Sequence, residues 1–87
     1  MKSRPNPELD AVKVGDVMIY SEDDWVARVE VVENTSDTDW WRFKLKVLNT
    51  IQESTMYGPQ ENGTEFVADR RRDYSGIWRM EKQKDPL

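Results

Sequence analysis

Residues 25–51 constrain the fold most, because they contain two runs in which apolar and charged side chains alternate strictly. The runs are residues 27–31 (ARVEV) and residues 43–47 (FKLKV). Alternation with a period of two is the pattern of a β-strand that has one buried face and one solvent face. The residues between the runs, 34–39 (NTSDTD), are turn formers or short polar side chains, so the chain reverses easily there. The sequence therefore predicts a half-buried antiparallel hairpin.

Length and composition set the size of the folded body. The chain has 87 residues, which makes one domain, and a chain of this size buries only about 60% of the surface it exposes when unfolded. Its mean hydropathy is −0.88 and 34% of its residues are charged, yet four Trp, three Tyr and two Phe are more than a disordered chain carries. We expect a flexible lead-in over residues 1–11, a single β-barrel domain over residues 12–81, and a flexible tail over residues 82–87.

The chain contains neither cysteine nor histidine. Their absence removes disulfides, thiolates, the common zinc ligands and every Ser-His or Cys-His nucleophile pair. The acidic run at residues 22–24 places adjacent carboxylates on an exposed turn, where similar surroundings offer no acid–base pair. We therefore expect a protein that is not an enzyme and uses no metal and no cofactor.

The same composition bears on location. A small domain without disulfides is typical of a reducing compartment, and no window of the sequence approaches the length of a membrane span. The expectation is a cytoplasmic protein with no membrane partner.

Turn residues and alternation divide the chain into five short strands. The predicted strands are residues 17–20, 25–33, 40–51, 64–68 and 77–81. A long loop is expected over residues 52–63, where Tyr-Gly-Pro and Glu-Asn-Gly supply strong turn signals. A helical turn is favoured only within residues 52–57.

Five short strands joined by two tight turns, a long loop and a further tight turn predict an all-β antiparallel sheet that closes on itself, because a flat sheet this small leaves its edges bare. With the step Val14-Gly15-Asp16 before the first strand, this architecture resembles the Src-homology-3-like and Tudor-like small barrels over residues 14–81. Src-homology-3 domains hold proline-rich ligands with the help of a long acidic first loop. That loop is reduced here to residues 21–24, so proline-motif recognition is not expected. The alternative fold is an oligonucleotide-binding type barrel.

Strand parity assigns the side chains of the hairpin to two faces. The inward set is Val29, Val31, Phe43, Leu45 and Val47, and the outward set is Arg28, Glu30, Arg42, Lys44 and Lys46. A turn centred near Asp37 would place Glu30 opposite Lys44 and Arg28 opposite Lys46. By the same parity Trp41 joins the core while Trp40 lies on the outer face.

The outer face is the predicted partner-binding surface. Its residues are Trp40, Arg42, Lys44, Lys46 and Arg28. Tryptophan and arginine are enriched at binding hot spots, so we expect a non-enzymatic binding or adaptor module that engages another protein or a second copy of itself. The first alternative is nucleic-acid binding, with Trp40 as a stacking platform within a basic face, although the whole chain has a net charge of −4 and a pI near 4.8.

A second alternative is an aromatic pocket at one end of the barrel that captures a peptide, a small ligand or a nucleotide. Its candidate residues are Tyr57, Tyr74, Trp78, Arg70, Arg71 and Arg72. Tudor-like barrels use aromatic cages for methylated side chains, to which cation–π attraction contributes. The competing interpretation of Tyr57, Tyr74 and Trp78 is that they plug the open ends of a small barrel.

Overall fold

The computed structural model describes residues 7–56, 60–72 and 78–82. Its elements are α1 (Pro7–Asp10), β1 (Val17–Glu22), β2 (Trp25–Asn34), β3 (Trp40–Gln52), β4 (Glu65–Arg71) and β5 (Trp78–Lys82). The strands form one sheet in the order β4-β3-β2-β1-β5, and every neighbouring pair is antiparallel. The predicted all-β class is confirmed: the five antiparallel strands form a curled sheet, a half-barrel compatible with a small Src-homology-3-like barrel.

The helix of the described residues lies outside the segment favoured by the sequence. Residues 52–56 contain no helix, and residue 57 lies outside the described residues. The one-turn helix α1 instead falls within the segment expected as a lead-in. Leu9 in this helix and Val12 just after it are 2% and 5% exposed and pack in the core. These two apolar side chains bring residues 9–12 into the folded body.

The strands β2 and β3 bend because their pairing is interrupted. The register between them shifts between Val26 and Ala27, between Arg28 and Val29, and between Val31 and Glu33. A β-bulge increases the local twist and bends the strand that carries the extra residue. The pairing of β3 with β4, by contrast, runs without a shift over residues 40–46 and 65–71. The sheet therefore curls along β2 and β3, whereas β3 and β4 form a regular ribbon.

Alternate residues of the strands fill a single layer of core. The most deeply buried side chains, each at most 1% exposed, are Met18, Tyr20, Ala27, Val29, Val31, Phe43, Leu45 and Val47. The inward set predicted from parity is confirmed. Trp41 is 3% exposed and also in the core, while Trp40 is half-buried on the outer face, as predicted.

The predicted pairing of the outward charges is wrong. Glu30 lies opposite Lys46 rather than Lys44, and Arg28 lies opposite Asn49 rather than Lys46. The pairing at Glu30 depends in part on the shift between Val31 and Glu33, which displaces the pairs beyond it by one residue; the shift between Arg28 and Val29 cancels this displacement at Arg28.

The pairing also depends on the position of the turn. The Asp37 carboxylate accepts hydrogen bonds from the backbone N–H groups of Asp39 and Trp40, each at 2.9 Å, and the Asp37 N–H donates to the Trp40 carbonyl at 2.9 Å. These backbone donors lower the pKa of Asp37 below its usual value. The reversal is therefore centred on Thr38 and Asp39 instead of on Asp37.

Trp78 links the two edges of the sheet. Strands β4 and β5 lie at opposite ends of the strand order. Across the gap, the Trp78 indole N–H donates to the Asp69 carbonyl at 3.0 Å, and the Arg70 guanidinium donates to the Trp78 carbonyl at 3.0 Å. The Trp78 ring is 3% exposed and stacks on Tyr20 at a centroid distance of 5.7 Å. We call this gap between β4 and β5 the seam of the half-barrel, and side-chain hydrogen bonds from Trp78 and Arg70 connect its two sides.

We predict that Trp78→Phe lowers the free energy of unfolding by about 1–3 kcal/mol, because the smaller ring leaves the Asp69 carbonyl without its indole donor. Urea denaturation followed by circular dichroism measures the change. The matched control is Trp40→Phe, at a half-buried position on the outer face, which should change the stability by less than about 0.5 kcal/mol. Equal losses in the two variants would contradict a special role for the seam.

Candidate functional site

Four side chains of β3 form a row on the outer face of the sheet, which we call the β3 row: Trp40, Arg42, Lys44 and Lys46. They share this face because alternate residues of a strand point the same way. All four are half-buried, and the Arg42 guanidinium carbon lies 5.9 Å from the centroid of the Trp40 ring. A cation at this distance is attracted by the face of the ring, so Arg42 helps to orient Trp40.

A second row runs beside it on β4. Across from the β3 row lie, in register order, Arg71, Asp69, Val67 and Glu65, which we call the β4 row. All four side chains are exposed, and Val67, at 57%, is among the more exposed large apolar residues of the described chain. The two rows together place an aromatic, an aliphatic and charges of both signs on one regular ribbon.

Carboxylates lie near two of the three cations of the β3 row, Arg42 and Lys44. The Lys44 ammonium lies 3.6 Å from a carboxylate oxygen of Glu33 and 3.4 Å from one of Glu65. The Arg42 guanidinium lies 4.0 Å from the Asp37 carboxylate. These exposed pairs add little to stability, because solvent screens them. Their effect is to place negative charges among the cations, so that this face is not a continuous basic stripe.

Arg28, the remaining member of the predicted surface, lies on β2. Its guanidinium Nε–H donates to the Asn49 side-chain oxygen at 2.7 Å, and its side chain is half-buried. The structure therefore places Arg28 on the same face but across from Asn49. It flanks the β3 row instead of extending it.

The three consecutive arginines of the predicted pocket point in different directions. Arg70 lies with its guanidinium carbon 5.2 Å from the Trp78 ring centroid, and its partial burial lowers the pKa of its guanidinium. Arg71 is exposed in the β4 row, opposite Trp40. Strand parity at residues 70 and 71 separates the two, so they do not converge on a single anion.

Arg72 lies just after β4, beside the β2–β3 turn. Its guanidinium carbon stands 3.7 Å from the Trp41 ring centroid, its Nε–H donates to the Asp37 carbonyl at 2.6 Å, and its Nη1 lies 3.5 Å from the Asp10 carboxylate. Arg72 thus joins α1, the β2–β3 turn and the end of β4.

The aromatic members of the predicted pocket are not all described. Trp78 is a core residue at the seam. Tyr57 and Tyr74 lie outside the described residues. Among the described members of this set, Arg70 contacts Trp78 directly.

An aromatic cavity lined by described residues lies at the end of the barrel where β2 begins. It has a volume of about 260 Å³ and is lined by Glu22, Trp25, Gln60 and Phe66. The rings of Trp25 and Phe66 are 5.6 Å apart, and both lie against Tyr20, whose hydroxyl donates to the Glu22 carboxylate at 2.5 Å. Sequence reasoning missed this cavity. The available signal was that Trp25 and Phe66 each stand at the start of a strand that follows a loop.

A second concavity lies between β1 and β5. Its volume is about 320 Å³, and it is lined by Ile19, Ser21, Arg79, Met80 and Glu81. Apart from Met80, these residues belong to the outward set of the two strands, so this concavity is a groove of the outer surface.

Asp24 anchors the start of the 52–63 loop. Its carboxylate accepts hydrogen bonds from the Ser54 hydroxyl at 2.6 Å, from the Thr55 hydroxyl at 2.6 Å and from the Thr55 N–H at 2.9 Å. Its carbonyl accepts the Gln52 side-chain amide at 2.6 Å. The three donors to the carboxylate, from Ser54 and Thr55, stabilise its ionised form and lower the pKa of Asp24 to about 2. The sequence analysis expected the acidic run at residues 22–24 to be an exposed turn and missed these hydrogen bonds. The available signal was the pair of neighbouring hydroxyl residues Ser54 and Thr55 in the 52–63 loop.

The described ranges hold no metal-binding cluster and no membrane-spanning helix. Within residues 7–56, 60–72 and 78–82, no group of three or more carboxylates is placed to hold a metal ion. The helix in this part of the chain is far too short to cross a membrane. Comparisons with protein-family models, with curated proteins and with solved structures return no match to this chain.

We predict that the contribution of Asp24 to stability depends on pH. Because the folded-state pKa is about 2 and the ordinary value is 3.8, this contribution is present above pH 3.8 and is lost as the pH falls towards 2. The gap in unfolding free energy between wild type and Asp24→Asn should therefore narrow over that interval. Urea denaturation at a series of pH values measures the gap.

The hydrogen bonds to the Asp24 carboxylate can also be tested by removing one of their donors. Thr55→Val removes one hydroxyl donor to the carboxylate, so the pKa of Asp24 should move up towards 3.8 in a carboxyl-detected NMR titration. An unchanged titration in this variant would contradict the assignment of the low pKa to these hydrogen bonds.

Proposed function

We propose that this chain is a non-enzymatic binding module that engages another protein through the β3 row, flanked by Arg28 and the 52–63 loop. The observation that carries the proposal is the pairing of half-buried Trp40 with Arg42 on an outward strand face. Tryptophan and arginine are the side chains most enriched at interface hot spots. The flanking Val67 and the alternating charges supply the mixture of apolar and polar contacts that surrounds such anchors.

Nucleic-acid binding by the same face is the weaker proposal. Backbone recognition needs several cations that are able to meet phosphates, and its strength grows with their number. Carboxylates accompany the cations here: Lys44 lies between Glu33 and Glu65, and Arg42 lies near Asp37. A phosphate approaching Lys44 meets these negative charges, which favours a protein partner of mixed charge.

The fold type belongs to the same proposal. We propose that the half-barrel is of the Src-homology-3-like or Tudor-like type, in which binding is carried by an exposed barrel surface. The step Val14-Gly15-Asp16 supports this, because it adds a backbone pairing ahead of β1. The Gly15 N–H donates to the Val31 carbonyl at 2.8 Å, and the Val31 N–H donates to the Asp16 carbonyl at 2.9 Å. Gly15 has a φ of +95°, a conformation that glycine adopts readily.

A second candidate function is the capture of a small cationic group in the end cavity. The aromatic rings of Trp25 and Phe66 and the carboxylate of Glu22 favour such a group. The residues that line this cavity are not members of the predicted pocket of Tyr57, Tyr74, Trp78 and the three arginines, and that pocket stays a prediction because Tyr57 and Tyr74 lie outside the described residues.

We predict that Trp40→Ala weakens the affinity for a protein partner by about tenfold or more, because it removes the central anchor of the surface. The partner is first retained from extracts of the native source on the immobilised wild-type chain and then purified. Its dissociation constant is measured calorimetrically with wild type, with Trp40→Ala and with the control Arg79→Ala, an exposed position on β5. Affinity that is unchanged by Trp40→Ala would contradict this use of the face.

The nucleic-acid alternative is tested by the salt dependence of binding. Labelled single-stranded and double-stranded oligonucleotides are titrated with wild type and with the double variant Lys44→Glu, Lys46→Glu, and binding is followed by fluorescence anisotropy. The proposal expects little binding by either protein. Tight binding that falls steeply with salt and is lost in the double variant would favour nucleic acid instead.

A further inference from the structure

We infer that the partner of this face is a second copy of the chain, docked so that the β3 row of each copy lies over the β4 row of the other. This inference rests on the proposed function, since it uses the same surface. It depends on the cross-strand register of β3 and β4, which places complementary side chains side by side along the ribbon.

Each level of the ribbon pairs two unlike partners. The register pairs are Trp40 with Arg71, Arg42 with Asp69, Lys44 with Val67, and Lys46 with Glu65. An arginine suits the face of a tryptophan, two pairs join opposite charges, and the aliphatic stem of a lysine suits a valine. At every level, therefore, the side chain of the β3 row is chemically complementary to the side chain of the β4 row.

Symmetry then selects one arrangement of two copies. Homodimers are mostly two-fold symmetric, and an axis in the plane of the interface can run along the strands or across them. An axis along the strands, between β3 and β4, preserves the level along the ribbon and places each β3 row over the partner's β4 row. An axis across the strands leaves each β3 row over the other β3 row, and cations then face cations. Charge complementarity therefore favours the first arrangement.

In the favoured arrangement every level makes two equivalent contacts. Trp40 of one copy meets Arg71 of the other, Arg42 meets Asp69, and Lys46 meets Glu65. The ribbon is suited to this packing because the pairing of β3 with β4 has no register shift, whereas the three shifts lie in the pairing of β2 with β3. The contact is thereby limited to the outer sides of two strands.

The size of this contact predicts a weak dimer. Seven residues of β4 extend about 20 Å, and two strands are about 10 Å wide, which is well below the roughly 800 Å² that each partner buries in a standard stable interface. The dissociation constant should therefore lie in the micromolar range or above and should rise with ionic strength, since two of the four levels make ion pairs.

The test uses two single charge reversals and their mixture. In a dimer of Arg42→Asp chains, the introduced carboxylate of each copy lies over Asp69 of the other. In a dimer of Asp69→Arg chains, the introduced guanidinium of each copy lies over Arg42 of the other. Each variant by itself should associate about tenfold or more weakly than wild type.

An equimolar mixture of the two variants should recover association, because one of the two contacts in the mixed dimer joins the introduced carboxylate to the introduced guanidinium. The other contact joins the native Arg42 of one chain to the native Asp69 of its partner. Both contacts then pair opposite charges. Analytical ultracentrifugation at low salt measures the two variants and their mixture.

The mixture separates contacts between chains from those within a chain. Residues 42 and 69 are also neighbours inside each copy, so either reversal creates a like-charge pair there. Mixing two folded proteins cannot relieve that internal repulsion, whereas it does relieve the repulsion across the interface. The Asp69 carbonyl that receives the Trp78 indole is backbone, so Asp69→Arg keeps that hydrogen bond.

Two controls accompany the charge reversals. Thermal unfolding of each variant checks its fold, and the pair Lys46→Glu and Glu65→Lys repeats the test should either first variant fail to fold. The mixture of Arg79→Glu with Glu81→Arg, on β5, should associate like wild type. A wild-type chain that stays monomeric up to about millimolar concentration at low salt overturns the inference, as does a mixture that recovers nothing.

Failure of this inference is distinguishable from failure of the proposed function. A monomeric wild-type chain whose affinity for another purified protein falls with Trp40→Ala would retain the binding face and reject the second copy as its occupant. A chain that dimerises with no response to Arg42→Asp or Asp69→Arg uses another surface, which rejects the inference by a separate result.

Discussion

The rest of the structure depends on one constraint: the sheet of this small domain has an apolar face to bury, and the described residues supply no second layer to bury it against. The sheet covers its own face by curling, and α1 contributes Leu9 to the core from its single turn. Curling requires that β2 and β3 bend, which their three register shifts allow. It also brings the two edge strands close enough for Trp78 to bond across the gap. The bulges, the contact between the edge strands and the core therefore all result from burial of the same apolar face.

The same constraint decides which aromatic side chains face solvent. Trp41 and Trp78 are drawn into the core layer, and each has an arginine against its ring, Arg72 and Arg70 respectively. These arginines serve the packing of the barrel, because they cover aromatic rings and bond to backbone carbonyls. Trp40 keeps its arginine on the outer face, where both remain partly accessible. The proposed binding surface thus contains the tryptophan–arginine pair that is not part of the core, Trp40 with Arg42.

Much of the candidate site was predictable because strand parity is local. Once the strand was recognised, the adjacent tryptophans had to point to opposite faces, and the β3 row followed. The pairing of that row was not predictable, because it depends on where the turn reverses and on bulges that no residue pattern marks. The arginine run at 70–72 shows the limit most clearly: three identical side chains adjoin in sequence and reach three separate environments. The hydrogen bonds of Asp24 were missed because their donors lie 30 and 31 residues further along the chain.

By itself the sequence determined the class of fold, the approximate strands, and the division of the hairpin into a buried face and a solvent face. These follow from periodicity, which acts between neighbouring residues and does not require knowledge of distant ones. Only the tertiary structure decided the register, the closure of the seam by Trp78, and the interleaving of carboxylates with the β3 row. Those features arise between residues far apart in sequence, and their positions depend on how strongly the sheet curls to bury its one core layer.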